Sequence, residues 1–291
     1  MSHDLSSGTV SANGVDFAYL EAGDGPLALC LHGFPDSAHT FRHLLPALAN
    51  AGFRAVAPFM RGYHPTGPAP DGAYQSGVLG VDANRLHEAL GGEADAVLIG
   101  HDWGAAGAYG AAGTEPERWR RVVTMAVPPA GELGQAFFTY EQLHLSWYMF
   151  FFQHPLSDMV VPLNDFDFVS KLWRDWSPGY DGSDDFANFV DCVPTPEHVT
   201  AVIDYYRHTI GGIDNRGELG AAQAATFNGP PQPTLYLHGR DDGCIMLSLA
   251  EGADRFLPGE GSASEIIDGA GHFLHLEQPD EVNRRIVEFV S

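Results

Sequence analysis

The chain has 291 residues, 44% of them hydrophobic and 18% charged, which suits one large globular domain, with or without an insertion, and excludes a disordered chain. Its 15 basic and 38 acidic residues give a net charge of −23, which makes nucleic acid and anionic membranes poor partners.

Three cysteines without a CxxC spacing indicate free thiols in a reducing compartment. Residues 1–9 lack a signal-peptide pattern and the longest strongly apolar run, 147–152, cannot span a bilayer, so we expect a cytoplasmic protein. A homodimer is compatible with these properties, as is a monomer.

The first part of the chain alternates predicted strands and helices. An Asn13-Gly14 turn predicts a hairpin, and the apolar run Leu27–Leu31 is typical of a strand that is buried on both faces. Further strands are expected at 53–57, 96–99 and 121–127, and helices at 41–48, 81–90 and 104–109. This alternation predicts an α/β protein with a mostly parallel sheet and helices on both of its faces.

The alternation stops at Gly131 and resumes near Phe227. Between these residues no strand signal is found, and helical stretches are expected at 139–152 and 198–210. Strands at 234–237 and 265–267 and a closing helix at 282–290 follow. We therefore predict an α/β core made of residues 1–130 and 227–291, with a helical cap inserted at 131–226.

The segment Gly100-His101-Asp102-Trp103-Gly104 lies between a predicted buried strand and a helix rich in small residues. This is the setting of a nucleophile elbow, whose glycines allow a sharp turn and close packing of the strand and the helix. Asp102 takes the nucleophile position, although Asp is also a common helix N-cap residue. The flanking glycines and the preceding strand favour the elbow.

An aspartate nucleophile restricts the reaction. Attack by serine on an sp³ carbon would leave an ether that simple hydrolysis cannot cleave, whereas attack by a carboxylate gives an ester. Water can then hydrolyse that ester at its carbonyl carbon and regenerate the aspartate. The substrate is therefore expected to carry an electrophilic sp³ carbon with a leaving group.

A base and an acid follow Asp102 in the chain order of this type of triad. His272, in the turn after the last predicted strand, is the candidate base that activates water, and His275 is its nearest rival. Asp242, after the strand 234–237, is the preferred acid because the Gly-x-x-Asp spacing from Gly239 ends there, and Asp241 is the alternative.

The loop His32-Gly33-Phe34-Pro35 follows the buried strand Leu27–Leu31. Its tight turn can direct the Phe34 amide at a developing oxyanion, and the amide of Trp103 would be the second donor. We expect His32, Pro35, Trp103 and the cap residue Phe151 to line an apolar substrate pocket.

Taken together, the motifs HGFPDS, RGY, GHDWGA, LHGRDD and GAGHF resemble those of the epoxide hydrolases of the α/β-hydrolase fold. The resemblance extends from about Gly8 to Val290 and is weakest at 157–196. It implies an eight-stranded core with a helical cap after the sixth strand. It also implies a small apolar epoxide and water as the reactants and a vicinal diol as the product.

The resemblance implies two tyrosines of the cap as acids. The segments that match point to Tyr148 and Tyr206, with Tyr205 as an alternative to Tyr206. Ring opening produces an alkoxide that must be hydrogen-bonded or protonated, and a phenol with a pKa of about 10 can donate at neutral pH. Tyrosines in such an aromatic stretch are also common as core residues.

Four other functions fit these residues less well. Haloalkane dehalogenases share the fold and the aspartate, but typically place Asn where this chain has Phe34, and fluoroacetate dehalogenases usually have Arg in place of Trp103. A non-catalytic binding protein of the same fold is disfavoured because every catalytic position is filled. A serine esterase is disfavoured because the elbow lacks serine. No metal-binding spacing or phosphate loop is present, so neither a metal nor a cofactor is expected.

Overall fold

The apolar runs pair into one eight-stranded sheet in the computed structural model, which describes residues 4–129, 131, 137–211 and 217–291. The strands are β1 Ser6–Ala12, β2 Val15–Ala22, β3 Leu27–Leu31, β4 Arg54–Pro58, β5 Val97–His101, β6 Arg121–Met125, β7 Thr234–Gly239 and β8 Ala263–Ile267. Their order in the sheet is β1-β2-β4-β3-β5-β6-β7-β8. Strand β2 is antiparallel to β1 and to β4, and the other neighbours are parallel. The predicted mostly parallel α/β sheet is confirmed.

The hairpin forms where the turn residues predict it. Asn13 and Gly14 both have positive φ, 47° and 74°, the combination that a two-residue hairpin turn with the correct twist requires. Ala12 and Val15 therefore pair directly across the turn. At the centre of the sheet, β3 and β5 are buried along their whole length, as expected for strands covered on both faces.

The helices of the core begin and end close to the expected positions. Helix α2 begins five residues before the predicted start at Val81, and a short 3-10 helix, Ala38–Arg42, precedes α1. In chain order the helices are α1 Leu44–Asn50, α2 Ser76–Ala89, α3 Trp103–Thr114, α4 Tyr140–Leu145, α5 Trp147–Phe152, α6 Leu156–Val160, α7 Leu163–Trp176, α8 Ser183–Asp191, α9 Pro196–Ile210, α10 Gly217–Ala225, α11 Leu247–Ala250, α12 Leu274–Glu277 and α13 Pro279–Val290.

Between β6 and β7 the described residues form helices and no strand, as the sequence predicts. The last of these helices, α10, packs against α2 and α3 of the core. The Gln223 side chain accepts a hydrogen bond from the Gly77 backbone N–H at 2.7 Å. This packing joins α10 to the core helices, which differs from the predicted return to the core at residue 227. Residues 212–216, which precede α10, lie outside the described part. Among the described helices none is long and apolar enough to cross a membrane.

The parallel strands bring distant loops to one edge of the sheet. Strands β3, β5, β7 and β8 run in the same direction, so the loops after them meet beyond their carboxyl ends. These four loops carry Phe34, Asp102, Asp242 and His272, respectively. The topology therefore brings together residues that are up to 238 positions apart in the chain.

Candidate active site

Asp102 occupies a sharp turn between β5 and α3. Its φ of 52° and ψ of −119° lie in a region that non-glycine residues rarely adopt, and its side chain makes no capping hydrogen bond to α3. A Cβ on Gly104 would collide with the carbonyl of Leu31, and one on Gly100 with the carbonyl of Gly104. The two glycines thus let α3 approach the sheet, and the turn directs the Asp102 carboxylate away from the helix that it precedes.

The two oxygens of the Asp102 carboxylate have different neighbours. Oδ1 accepts a hydrogen bond from the Phe34 backbone N–H at 2.8 Å, and Oδ2 lies 3.6 Å from Nε2 of His272. Gly33 permits this approach, because a Cβ there would collide with the carboxylate. The Trp103 amide, the second predicted donor, makes no hydrogen bond among the described residues.

His272 and Asp242 form a hydrogen-bonded pair. Nδ1 of His272 donates to Oδ2 of Asp242 at 3.0 Å, while Oδ1 of Asp242 accepts from the backbone N–H groups of Cys244 and Ile245 at 2.7 and 3.0 Å. Asp241 is exposed, and its backbone N–H donates to the carbonyl of Ala270. Of the two candidate acids, the structure therefore brings Asp242 to the histidine.

Two carboxylates dominate the charge state of His272. Burial disfavours its cation, but Asp242 and Asp102 outweigh burial and raise the pKa of His272 to about 10. Burial also opposes ionisation of Asp242, yet His272 lowers the pKa of that carboxyl below its usual value. In the resting site His272 is thus a cation between two carboxylates at neutral pH.

A second polar cluster lies behind His272. His101 donates through Nε2 to the His272 carbonyl at 2.9 Å, and His275 lies 2.5 Å from Oγ1 of Thr40. Burial lowers the pKa of both histidines and raises the pKa of Asp36 to about 8, so all three groups are neutral at pH 7. Two groups of described residues bring side chains of metal-binding types within 4.8 Å of one another. The first group is Asp36, His101 and His275, and the second is Asp242, Cys244 and His272. His275 contacts His101 and does not contact Asp102, so it does not replace His272 as the candidate base.

The predicted cap tyrosines are buried beside each other. The rings of Tyr148 and Tyr206 lie 5.6 Å apart, and Tyr206 packs against Trp103 at 4.9 Å and Phe34 at 5.5 Å. The Tyr206 hydroxyl and the Trp103 indole N–H have no hydrogen-bond partner among the described residues. Tyr205 instead donates its hydroxyl to the Arg61 carbonyl at 2.7 Å. Both rings contact Trp103, that of Tyr205 at 5.9 Å, but in the described part of the chain only the Tyr206 hydroxyl is left free beside the elbow.

Burial keeps both of these phenols neutral. It raises the pKa of Tyr148 and of Tyr206 well above the usual value, and the negative charge of Asp102 adds to the effect. Both hydroxyls therefore retain their protons at neutral pH and can donate them. This is the state that an acid for ring opening needs.

Two of the predicted substrate-binding residues, Trp103 and His32, have different surroundings. Trp103 packs on Tyr206 at 4.9 Å. Both ring nitrogens of His32 are used within the protein, because Nδ1 donates to the Gly33 carbonyl at 3.0 Å and Nε2 accepts from the Met60 N–H at 3.1 Å, so His32 has only its ring carbons to offer a substrate. The Pro35 carbonyl accepts a hydrogen bond from the Trp173 indole at 3.0 Å, a contact that fixes the loop.

Phe151 and Phe152 have different neighbours. The ring of Phe151 packs on Trp147 and Phe168, whereas Phe152 packs on Phe34 at 5.7 Å and on Tyr206 at 5.0 Å. Neighbouring residues on a helix point about 100° apart, which is why only Phe152 reaches Tyr206. The assignment of Phe151 to the substrate pocket stays a prediction.

Three further residues near the site carry no motif in the sequence. Trp176 packs on Tyr148 at 5.0 Å and on His272 at 5.1 Å, and its carbonyl accepts the backbone N–H of His272. Phe189 packs on Phe34 at 5.7 Å, and Cys244 contacts the Tyr148 hydroxyl. Two of these three come from the cap segment with the weakest resemblance, so only their aromatic character could have indicated them.

Comparisons with known proteins show to which family the chain belongs. The family model of the alpha/beta hydrolase fold matches residues 26–279. Epoxide hydrolase A of Mycobacterium tuberculosis is 30% identical over 97% of this chain and 96% of its own length. The chain belongs to the epoxide hydrolase family of the α/β-hydrolase fold. An epoxide hydrolase of Caballeronia sordidicola is likewise 30% identical, over 100% of this chain and 96% of its own.

Solved structures of this family have the same fold. A crystal structure of Bacillus megaterium epoxide hydrolase with an inhibitor has a TM-score of 0.81 and 26% identity, over 97% of this chain and 99% of that chain. A putative epoxide hydrolase of Klebsiella pneumoniae has a TM-score of 0.84 at 24% identity, over 98% and 97% of the two chains. The latter supports the fold alone. The sequence resemblance and the fold class are both confirmed.

Proposed function

We propose that this epoxide hydrolase opens a small apolar epoxide in two steps through an ester of Asp102. The observation that carries the proposal is the position of Asp102 between the Phe34 amide, His272 and the two buried phenols. In the first step Oδ2 attacks a ring carbon. The C–O bond breaks, and the epoxide oxygen takes a proton from Tyr148 or Tyr206. Oδ1 stays in its hydrogen bond with Phe34.

In the second step water hydrolyses the ester. His272 removes a proton from the water, which attacks the carboxyl carbon of Asp102, and Asp242 stabilises the histidine cation. The oxyanion then develops on Oδ1, the oxygen that already accepts the Phe34 N–H at 2.8 Å. The tetrahedral intermediate collapses, and the substrate oxygen takes the proton from His272 and leaves as an alcohol. The Asp102 carboxyl group then passes its own proton to His272, which regenerates the carboxylate, and the product is a vicinal diol.

Ester formation also prepares the base. In the free site two carboxylates raise the pKa of His272 to about 10, so the histidine holds a proton and cannot act as a base at neutral pH. Esterification removes the charge of Asp102, one of the two groups that raise this pKa. The pKa of His272 therefore falls when a base is needed, so that the histidine proton can pass to the phenolate that ring opening leaves. This transfer restores the tyrosine and makes His272 a neutral base before water attacks.

The proposal is tested with a substrate panel and a trapping variant. Styrene oxide and small aliphatic epoxides are compared with 1-bromobutane and fluoroacetate, scoring diol and halide release. We expect diol without halide. The variant His272→Gln should form the ester and fail to hydrolyse it, so intact-mass and peptide analysis should find the added mass of the substrate on Asp102. Halide without diol, or no adduct, would refute the scheme.

We infer a cytoplasmic location, which is supported by the three free, buried cysteines. Fractionation of the source cells tests it, and enrichment in the periplasmic or secreted fraction would contradict it. Size-exclusion chromatography with light scattering decides between a monomer and the homodimer that the sequence allows.

A further inference from the structure

Cys244 lies in the site without a role in the two steps above. It follows the triad acid by two residues, is 3% exposed, and places Sγ 3.5 Å from the hydroxyl oxygen of Tyr148. The Tyr206 hydroxyl, in contrast, has no hydrogen-bond partner among the described residues. The two phenols of the site therefore differ in that a thiol contacts only one of them.

The backbone of Cys244 is held from two sides. Its N–H donates to Oδ1 of Asp242 at 2.7 Å, and its carbonyl accepts from Nε2 of Gln142 at 2.9 Å. Oε1 of Gln142 accepts the N–H of Met246 at 3.0 Å. Gln142 is fully buried on α4, the helix that precedes the helix of Tyr148. Its amide thus binds the loop of the triad acid to the cap segment that carries Tyr148.

We propose that Cys244 is a positioning residue, whose thiol orients the Tyr148 hydroxyl toward the epoxide oxygen while its backbone holds Asp242. The inference rests on the proposed role of Tyr148 as an acid. A single residue then connects the acid that opens the ring with the triad acid that serves hydrolysis. This connection makes the ring-opening step depend on a side chain that touches neither the substrate nor Asp102.

The chemistry of the two groups supports this assignment. A phenol has one proton and an oxygen that can accept a hydrogen bond. When the S–H donates to the oxygen of Tyr148, the phenolic O–H remains free to donate to the epoxide oxygen. Burial raises the pKa of the Cys244 thiol well above its usual value, so the sulfur keeps the proton that this arrangement needs. Serine can make the same donation, whereas alanine and valine cannot.

The test measures the two half-reactions separately. Single-turnover reactions with styrene oxide are quenched with acid, and mass spectrometry follows ester formation and ester loss. A hydrogen bond of this kind is worth about a fivefold change in rate. We therefore expect Cys244→Ala to slow ester formation about fivefold, with ester hydrolysis unchanged, and Cys244→Ser to restore ester formation to near the parent rate. If the alanine variant does not fold, Cys244→Val, which fills the space of the sulfur but cannot donate a hydrogen bond, replaces it and should slow ester formation by a similar factor.

A double-mutant comparison separates positioning from a general structural effect. In a Tyr148→Phe background, Cys244→Ala should have no further effect on ester formation. Cys192→Ala, which alters another buried thiol, should leave both half-reactions unchanged. Equal slowing of both half-reactions, or an undiminished Cys244→Ala effect in the Tyr148→Phe background, would overturn the inference. If Tyr148→Phe itself leaves ester formation unchanged, the proposed acid role of Tyr148 fails first and the inference falls with it.

Discussion

At the scale of single residues, the two Asp102 oxygens have unequal surroundings, which the proposed mechanism uses. Oδ1 is held by the Phe34 amide, the place where this mechanism develops negative charge during hydrolysis. Oδ2 lies 3.6 Å from Nε2 of His272 and is the oxygen that the mechanism assigns to attack. In a serine hydrolase the oxyanion belongs to the substrate, whereas in the proposed mechanism it belongs to the nucleophile. The hydrogen bond of the hole therefore exists before the substrate binds.

The same contacts predict how the charge of Asp102 affects His272. The variant Asp102→Asn removes the charge, as esterification does, so the pKa of His272 should fall from its raised value of about 10. NMR titration of the imidazole resonances checks this in the variant and in the parent protein. Asp242→Asn is the matched comparison, since Asp242 is the larger source of the raised pKa. An unchanged His272 pKa in Asp102→Asn would contradict the proposed ordering of the two steps.

At the scale of elements, helix α9 carries two adjacent tyrosines with different environments. Tyr206 packs on Trp103 and Phe34. Tyr205 also contacts Trp103, but it packs on Tyr63 and Tyr74 as well and donates its hydroxyl to the Arg61 carbonyl. Arg61 is itself fully buried and forms an ion pair with Asp82. The RGY segment thus anchors the Tyr205 side of α9 to the core, and Tyr206 packs beside Phe34 and Tyr148.

Conservative variants of the two tyrosines should separate catalysis from stability. Tyr206→Phe should slow ester formation with styrene oxide by roughly 100-fold, as expected for loss of a positioned acid, with little change in thermal stability. Tyr205→Phe should lower the free energy of unfolding by about 1 kcal/mol, because it leaves the Arg61 carbonyl unpaired, with ester formation near the parent rate. Single-turnover kinetics and chemical denaturation provide the two readouts. The reverse pattern would assign the acid to Tyr205.

At the scale of the whole molecule, acidic groups outnumber basic ones by 23. Several arginines each form ion pairs with two carboxylates. Arg207 pairs with Asp158 and Asp204, and Arg284 pairs with Glu281 and Glu288. The Arg284 pairs are exposed, and exposed pairs are worth little individually. The many remaining carboxylates repel one another in the folded state, which favours expansion of the chain.

This excess charge predicts that salt stabilises the fold. Raising NaCl from about 20 to about 500 mM shortens the screening length severalfold and should raise the melting temperature at pH 7.5. Near pH 5, close to the calculated pI of 4.7, the net charge is small and the same salt should have little effect. Differential scanning calorimetry at both pH values checks this. A melting temperature that falls with salt at pH 7.5 would show that the ion pairs outweigh the repulsion.

The sequence by itself determined the sheet, the elbow and the order of the triad. These features depend on residues close together in the chain: an apolar run followed by a turn, glycines on either side of Asp102, and His272 after the last strand. Parallel topology then places the ends of such strands at one edge, whatever lies between them. Local patterns were therefore enough to predict the fold class and to name Asp102, Asp242 and His272 as the candidate triad.

Only the tertiary structure decided how the cap meets that edge. The aromatic pattern of the cap predicts helices but not their rotation. For this reason the sequence could not tell that Phe152, and not Phe151, packs on Tyr206, nor separate Tyr205 from Tyr206. The contact of Cys244 with Tyr148 joins residues 96 positions apart, and no local signal marks it. The packing of α10 on α2 and α3 of the core also joins distant segments, and no local signal marks it. Such choices depend on contacts between distant segments, which periodicity along the chain does not encode.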